Sequence, residues 1–432
     1  MIARLSLALL VVCTALALAS CGGHGAARIR IGVLVDCEGL YGLARDSSYA
    51  GAELPLIQRG ARPLGANPGD GITQIEVAGK KLEVLFGCGD DTTASALSEA
   101  RRLVEQQRVD VLIGPTLNGE SLALKEYARR RPGTTFVDGL APLQSLTLHD
   151  PLQNFFRFGP DSAQLTAGLG AYAYRTLGWR TAVTVGQDAG AFGGGLEYGQ
   201  VAGFVAEFCA LGGKIVKRVW SAPREVSAYA AGNRADGFFV VDPGNFETEF
   251  GALHGSPAKR ILGGILWSPP IASPELQQRV VGVVTATSIF DSSRPAWRHY
   301  LAAMGKAFPD LDAYTVFPVV YYDAMAAVLQ ALEQVHGDLS GGERQFQTAL
   351  AKVRLESPIG PIHLDQNRQA VAPIYLRQYQ RNAIGEVSYR TIRVVPNVDQ
   401  SFGGYFHTNG PLPSETYPPC RRGDPPPWAR SG

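Results

Sequence analysis

The chain of 432 residues has little of what would point to a specific chemistry. Its 40 Lys and Arg against 39 Asp and Glu leave a formal net charge of +1, and no long basic run offers a site for nucleic acid. The densest basic cluster, Arg129 to Arg131, ends a predicted helix, where cations complement the helix dipole. Motifs for a nucleophile elbow, a zinc protease, a phosphate loop or a redox Cys-x-x-Cys pair are absent, and the seven His are scattered. These absences argue against an enzyme.

Long apolar runs are also absent, except for a short one at the N-terminus. Arg4 precedes the apolar segment Leu5 to Leu18, and small residues follow, which is the order of a secretory signal. The apolar run is shorter than the ~20 residues that span a bilayer. A plain secretory signal and a retained membrane anchor remain alternatives to a lipoprotein signal. No second membrane segment is expected.

Small residues before a cysteine give the N-terminus a further resemblance. Leu18-Ala19-Ser20-Cys21 resembles the lipobox of bacterial lipoproteins. That resemblance implies that residues 1–20 are removed and that Cys21 carries a lipid. Residues 21–27 would then be the tether of a lipid-anchored protein. We expect this protein at the outer face of the cytoplasmic membrane or in the periplasm.

Cysteine is scarce, with six residues in the whole chain. No pair has the spacing of metal ligands, so neither a metal nor another cofactor is expected. Besides Cys13 and Cys21, four cysteines remain in a chain that is expected to reach an oxidising compartment: Cys37, Cys88, Cys209 and Cys420. Four cysteines allow three connectivities, among which the sequence alone does not choose.

Strands and helices alternate along most of the chain, which predicts an α/β fold with parallel sheets. The predicted strands are 28–36, 81–86, 109–113, 134–137, 180–185, 214–219, 237–241, 260–262 and 280–286, followed by a pair at 362–364 and 373–380. The predicted helices are 47–59, 90–107, 120–131, 162–177, 196–211, 295–307, 316–334 and 344–353. Residues 61–79 are expected to form a loop, and residues 396–432 an irregular tail. A mature chain of 412 residues (432 − 20) is long enough for two lobes.

An ordered series of short motifs carries a family resemblance over residues 28–382. It includes Ile31-Gly32-Val33-Leu34-Val35, Gly39-Leu40-Tyr41-Gly42, Tyr49-Ala50-Gly51-Ala52-Glu53-Leu54, Val109-Asp110-Val111-Leu112-Ile113-Gly114-Pro115 and Gly360-Pro361-Ile362-His363-Leu364-Asp365. The series resembles the periplasmic binding protein type 1 superfamily. It is most similar to the leucine/isoleucine/valine-type substrate-binding proteins of ABC importers.

The resemblance implies two doubly wound, parallel-sheet lobes with a ligand cleft between them. Three chain crossings would lie near 158–160, 288–291 and 358–361. Residues 28–158 plus 291–357 would form lobe 1, and residues 160–288 plus 362–395 would form lobe 2. Function in this fold is closure of the cleft around a small molecule, a hinge motion that ligand contacts favour.

Ligands of open parallel sheets bind beyond the carboxyl ends of the strands, and this rule selects six loops. They are 36–43, 115–119, 138–145, 187–195, 242–245 and 264–269. The ligand-contact residues expected in them are Tyr41, Thr116, Asn118, Gly119, Leu140, Ala141, Phe192, Asp242 and Trp267. The start of a helix at Asn118 suits a carboxylate, although a plain N-cap explains this residue equally well.

The resemblance also shows where this chain departs from amino-acid binders. Pro142 stands where the family has a hydroxyl that holds the ligand carboxylate, and Ile265 stands where an acidic residue often holds the ammonium group. Phe192 keeps an aromatic wall without a hydroxyl. Asp242 is either a substitute partner for a cation or a turn former before Pro243. Since an unpaired buried ammonium is costly, we expect a less polar ligand walled by aromatic and aliphatic side chains rather than a simple amino acid. The expected walls are Tyr41, Leu140, Phe192 and Trp267.

The implied fold makes the strands before Cys37 and Cys88 parallel neighbours, which implies a disulfide between these two cysteines. Cys209 and Cys420 would then form a second bridge that pins the tail onto lobe 2. The implied function is that of a monomeric, lipid-anchored binding protein that delivers a small molecule to an ABC permease and its ATPase. The alternative is a lipid-anchored sensor that reports occupancy to a signalling partner.

Overall fold

The computed structural model contains two α/β units, here called the first and the second layer, each built around one sheet with helices packed against it. It describes residues 28–186, 195–220, 234–241, 256–264, 274–289, 293–311 and 315–430, with the single positions 225, 227, 230 and 253. Buried Val, Ile, Leu and Phe dominate the central strands of both sheets, as expected where helices cover both faces. The α/β fold class predicted from the sequence is confirmed.

The first sheet comes from the N-terminal part of the chain. Its order is β2-β3-β1-β4-β5-β6, and all of its pairs are parallel except β2 with β3. The strands are β1 (Ile29–Asp36), β2 (Ile75–Val77), β3 (Lys80–Gly89), β4 (Val111–Ile113), β5 (Thr135–Asp138) and β6 (Phe155–Arg157). The loop prediction for residues 61–79 is wrong at β2, a short strand whose pairing with β3 is not visible in the local sequence.

The second sheet joins a parallel half to an antiparallel half. Its main path is β12-β13-β14-β11-β10-β9-β7-β8, and β15 pairs with β14. The strands are β7 (Thr181–Gly186), β8 (Lys214–Trp220), β9 (Gly237–Val241), β10 (Ile261–Gly263), β11 (Val284–Thr287), β12 (Arg354–Ser357), β13 (Gly360–Leu364), β14 (Ala370–Arg381) and β15 (Val387–Val398). The pairs from β7 to β11 are parallel, whereas β12 to β15 pair antiparallel.

Seven of the eight predicted helices have counterparts in the part of the chain that the structure describes, and three short helices, Ser145–Leu148, Pro274–Arg279 and Pro427–Arg430, lie where none is predicted. The helices are α1 (Arg45–Ile57), α2 (Thr93–Arg101, continued by a π-helical turn at Arg102–Gln106), α3 (Asn118–Arg129), α4 (Ser145–Leu148), α5 (Leu169–Ala171, continued by a π-helical turn at Tyr172–Thr176), α6 (Gly195–Ala210), α7 (Pro274–Arg279), α8 (Pro295–Ala307), α9 (Val316–Gln334), α10 (Arg344–Leu350) and α11 (Pro427–Arg430). The prediction of one helix over 162–177 is wrong. Gly168 adopts φ +90°, so a 3-10 turn (Gln164–Thr166) ends there and α5 begins anew.

Helix α9 is the core helix of the first layer. It is long and apolar enough to cross a membrane, but 72% of its apolar window is buried inside the fold. Its side chains Tyr321, Met325 and Leu329 pack in one cluster with β1 and with α8. A second, separate cluster lies under the second sheet and is centred on α6.

A buried arginine ties the first layer to the segment that leaves it. Arg157, 1% exposed, donates to the carbonyls of Ala141 and Leu143, to the hydroxyl of Thr147 and to the side-chain oxygen of Gln369. The amide of Gln369 in turn donates to the carbonyl of Gly159 (2.8 Å). The segment expected to cross near 158–160 therefore lies beside the 365–370 turn.

The later chain segments are divided between the two cores. Ile362 and Leu364 of β13 pack in the first core cluster, whereas Ile374 and Leu376 of β14 pack in the second. The segment expected to cross near 288–291 lies partly outside the described residues.

Both disulfides are present. Cys37 bonds Cys88, with a Cα–Cα distance of 5.3 Å, and Cys209 bonds Cys420, with a Cα–Cα distance of 5.2 Å. Apart from the end of β15 and the short helix α11, the tail beyond residue 396 is irregular, and it packs Phe402 and Phe406 into the second core.

Candidate ligand-binding site

The carboxyl ends of β1, β4 and β5 meet at one edge of the first sheet. The parallel register pairs Val33 with Ile113 and Ile113 with Val137, so the loops that follow these strands leave side by side. Six of the expected contact residues lie in these loops: Tyr41, Thr116, Asn118, Gly119, Leu140 and Ala141. Phe192, Asp242 and Trp267 lie outside the described residues, as do Ile265 and Cys21.

Asn118 is the first residue of α3 and not its N-cap, so the N-cap interpretation is wrong. Its side-chain oxygen accepts a hydrogen bond from the backbone N–H of Leu143 (3.1 Å). The N-cap position is Leu117, whose N–H donates to the Glu120 carboxylate (3.2 Å). Asn118 thus fixes the loop after β5 against the start of α3.

Thr116 is part of a buried chain of hydrogen bonds. Its Oγ1 lies 3.4 Å from the hydroxyl of Tyr321, which donates to the carbonyl of Leu34 (3.0 Å). Tyr321 projects from α9, about 200 residues along the chain from the loop that it supports. The local sequence around Thr116 holds no signal for this contact.

Two carboxyl groups lie together behind these loops. Asp36 ends β1, Glu120 lies in the first turn of α3, and the two are 2% and 1% exposed. Asp36 Oδ1 accepts from the N–H of Asp91 (3.2 Å), whereas Asp36 Oδ2 and Glu120 Oε1 receive no hydrogen bond from any donor in the described part of the chain. Burial raises the pKa of both groups, and the negative charge of Asp36 raises the pKa of Glu120 further. Close acids of this kind share one proton.

Asp138 adds a third buried carboxyl group at the end of β5. It accepts from the hydroxyl of Ser121 (2.6 Å), and burial raises its pKa to about 7 although the guanidinium of Arg157 opposes this rise. Among the described residues no group of three or more His, Cys, Asp or Glu is arranged to hold a metal ion.

Tyr41 lies between acidic side chains of both layers. Its N–H donates to the Asp91 carboxylate (3.2 Å), and its ring meets Phe317 edge-on at 6.3 Å. Burial raises the pKa of the Tyr41 hydroxyl, and the nearby charges of Asp91, Glu197 and Asp36 raise it further. Glu197 is fully buried in the first turn of α6, so its charge acts on Tyr41 from the second layer.

The two layers touch at the same edge. The carbonyl of Pro142 accepts from the N–H of Ser162 (2.7 Å). A Cβ on Gly195 would lie 2.4 Å from the Leu143 side chain and 3.3 Å from the Asn118 amide, so α6 begins in close contact with both residues. The loops around Asn118 and Pro142 therefore face the start of α6.

A sequence model of the periplasmic binding protein family matches residues 28–383, most of the chain. This chain belongs to that family. The periplasmic binding proteins are solute-binding proteins that act outside the cytoplasm and are not enzymes, as expected from the sequence. No curated protein matches the chain.

Solved structures share the fold at low identity. An ABC transporter substrate-binding protein from Sphaerobacter thermophilus is 21% identical, with a TM-score of 0.72 over 87% of this chain and 99% of its own. A solute-binding protein from R. palustris, crystallised with benzoate, is 20% identical with a TM-score of 0.67 and coverages of 86% and 98%. A leucine-binding protein from Thermotoga maritima is 18% identical with a TM-score of 0.63 and coverages of 85% and 99%.

Proposed function

We propose that this periplasmic binding protein is a lipid-anchored, monomeric capture protein that delivers a small molecule to the permease of an ABC importer. The ligand would bind between lobe 1 (28–158 plus 291–357) and lobe 2 (160–288 plus 362–395). The observation that carries the proposal is that the start of α6, in the second layer, lies beside Asn118 of the first layer and that the charge of Glu197 in its first turn acts on Tyr41. A ligand held by both layers favours the closed state.

The charges at this edge indicate what the ligand carries. Asp36, Glu120 and Glu197 are buried there, and the six cleft loops (36–43, 115–119, 138–145, 187–195, 242–245 and 264–269) contain no Lys, Arg or His. A buried carboxylate of a ligand would therefore find no cationic side chain in these loops, and leaving it unpaired is costly. We propose a ligand with an apolar or aromatic body and a polar end that donates hydrogen bonds, such as an amine or an amide.

The test is a thermal-shift screen of the purified mature protein with matched pairs of aromatic and aliphatic amines, amides and carboxylic acids, leucine and benzoate included. A ligand at about 100 times its Kd stabilises the folded state by about 2.7 kcal/mol and raises the melting temperature with concentration. We expect shifts from amines or amides and none from the matched acids.

Two variants distinguish a thermal shift caused by binding at this site from a shift caused by other interactions. Asp36→Asn should abolish the shift because it removes the one negative charge that the Asp36–Glu120 pair keeps, whereas Glu38→Gln, on the exposed part of the same rim, should keep it. A shift from benzoate or leucine alone would contradict the proposed ligand class. The absence of any shift across the screen would count against ligand capture itself.

A further inference from the structure

The chain continues well beyond the residues that match the family. The matched region ends at residue 383, and residues 399–430 form an additional segment, here called the strap. The strap is fixed to the second layer by the Cys209–Cys420 disulfide. Near its end, the indole N–H of Trp428 donates to the buried carboxylate of Glu207 on α6 (3.0 Å).

Further contacts hold the middle of the strap on the same layer. The Arg218 guanidinium and the Trp220 indole, both on β8, donate to the carbonyl of Glu415 (3.2 and 3.4 Å). Phe402 and Phe406 pack in the second core. The strap is therefore a folded part of the second layer, attached covalently and through its core.

The strap also contacts the first layer, at helix α4. The hydroxyl of Thr147 donates to the side-chain oxygen of Gln400 (3.3 Å), and Leu148 packs in the same cluster as Phe402. One residue further, the half-buried imidazole of His149 lies near the backbone of His407 and Gly410.

Helix α4 is held at both ends by the first layer, although its Leu148 packs in the second core. The Lys125 ammonium on α3 donates to the carbonyls of Ser145 (3.2 Å) and His149 (2.6 Å), at either end of α4. The chain then enters β6, which pairs with β5. A strap that is held by the second layer and touches α4 thus spans both layers.

We propose that the strap is a fourth connection between the lobes, in addition to the three chain crossings, and that it limits how far the ligand-free cleft opens. Opening would separate α4 from Gln400, His407 and Gly410, so these contacts oppose it. A smaller range of open states leaves more of the ligand-free protein near the binding-competent form. The inference concerns the ligand-free hinge and does not depend on which ligand binds.

Small-angle X-ray scattering and hydrogen exchange of the ligand-free mature protein test this. One variant removes the contact in the first layer (His149→Ala), and another slackens the strap by a short Gly-Ser insertion between the exposed Leu412 and Pro413. We expect a larger radius of gyration for both variants. We also expect roughly tenfold faster amide exchange in α4, since loosening the strap weakens the hydrogen bond between Thr147 and Gln400.

Matched controls make the same kinds of change elsewhere. His299→Ala alters an exposed histidine of α8, and the same insertion between Ile384 and Gly385 lengthens an exposed turn of the second layer. Both controls should keep the wild-type radius and exchange. Strap variants that melt like the wild type and also keep its radius of gyration and α4 exchange would overturn the proposal. Because no ligand is added, a failed ligand screen leaves this result standing.

Discussion

Asp323 shows at the scale of one residue how burial connects stability to pH. This carboxyl group lies inside α9, fully buried, where Ser357 donates one hydrogen bond to Oδ2 (2.9 Å). Burial raises its pKa to about 8. Since the unfolded chain has the ordinary lower pKa, the folded state binds the extra proton, and the free energy of unfolding falls as pH rises through this interval.

Asp323→Asn should remove this dependence. We expect the wild type to lose stability between about pH 5 and about pH 9, by an amount on the order of several kcal/mol, and the variant to lose less because its amide stays neutral. Urea denaturation across this range measures the effect. Asp310→Asn, at an exposed position, is the control and should follow the wild type. Equal slopes for Asp323→Asn and the wild type would contradict the prediction.

Some of the site residues can be predicted from the sequence, and others cannot. Tyr41, Thr116 and Asn118 follow from the rule that ligands bind beyond strand ends, and the structure places all three at one edge. Their roles as ligand contacts remain predictions. Tyr321 could not be predicted, because its contact with Thr116 joins residues about 200 positions apart. The pairing of Asp36 with Glu120 could not be predicted for the same reason, because these residues are far apart in the sequence and come together only in the tertiary structure.

At the scale of elements, Gly168 explains the error in the predicted helix over 162–177. A φ of +90° strains any residue with a Cβ, and a Cβ here would lie 2.5 Å from Val395 of β15. The glycine therefore permits both the break and the close approach of the strand. Apolar periodicity alone continues through the break, which is why the pattern predicted one helix.

Gly168→Ala should destabilise the protein through both effects. We expect a loss of roughly 2–4 kcal/mol, about 1 kcal/mol from the backbone and the rest from overpacking against Val395. Gly178→Ala is the matched control, since Gly178 has φ +74° with no atom near its Cβ, so only the backbone cost applies. Urea denaturation compares the two. Losses of the same size would show that Val395 moves aside freely.

The accuracy of the element predictions follows the strength of the local pattern. Helices α8 and α9 begin and end at the predicted residues, because each has a long apolar face and a clear start. The sequence analysis predicts no strand at β15, since its mostly half-buried and exposed residues beside β14 do not alternate clearly. Its position is determined by the partner strand, which the local sequence does not show.

At the scale of the whole molecule, the proposed lipid anchoring depends on Cys21, which lies outside the described residues. We expect that Cys21→Ser in the full-length chain, expressed in a bacterial host, abolishes both the attachment of lipid and the cleavage of the signal peptide. Two or three acyl chains contribute about 0.8 kcal/mol per buried CH₂, so the wild type should remain with the membrane fraction. Mass spectrometry of the N-terminus and fractionation measure this. Cys13→Ser is the control, and unchanged processing of Cys21→Ser would favour a plain secretory signal.

The order of segments in the first core has a consequence for biogenesis. This core combines residues from Ile29 to Phe158 with residues from Trp297 to Ala372. A chain that crosses a membrane from its N-terminus therefore exposes part of one face of its first sheet until α8 and α9, which pack on that face, arrive. Such a sheet is prone to aggregate, so the core can assemble only after nearly the whole chain has crossed. The Cys209–Cys420 bond, formed by the last cysteine to emerge, would close at the end of the same process.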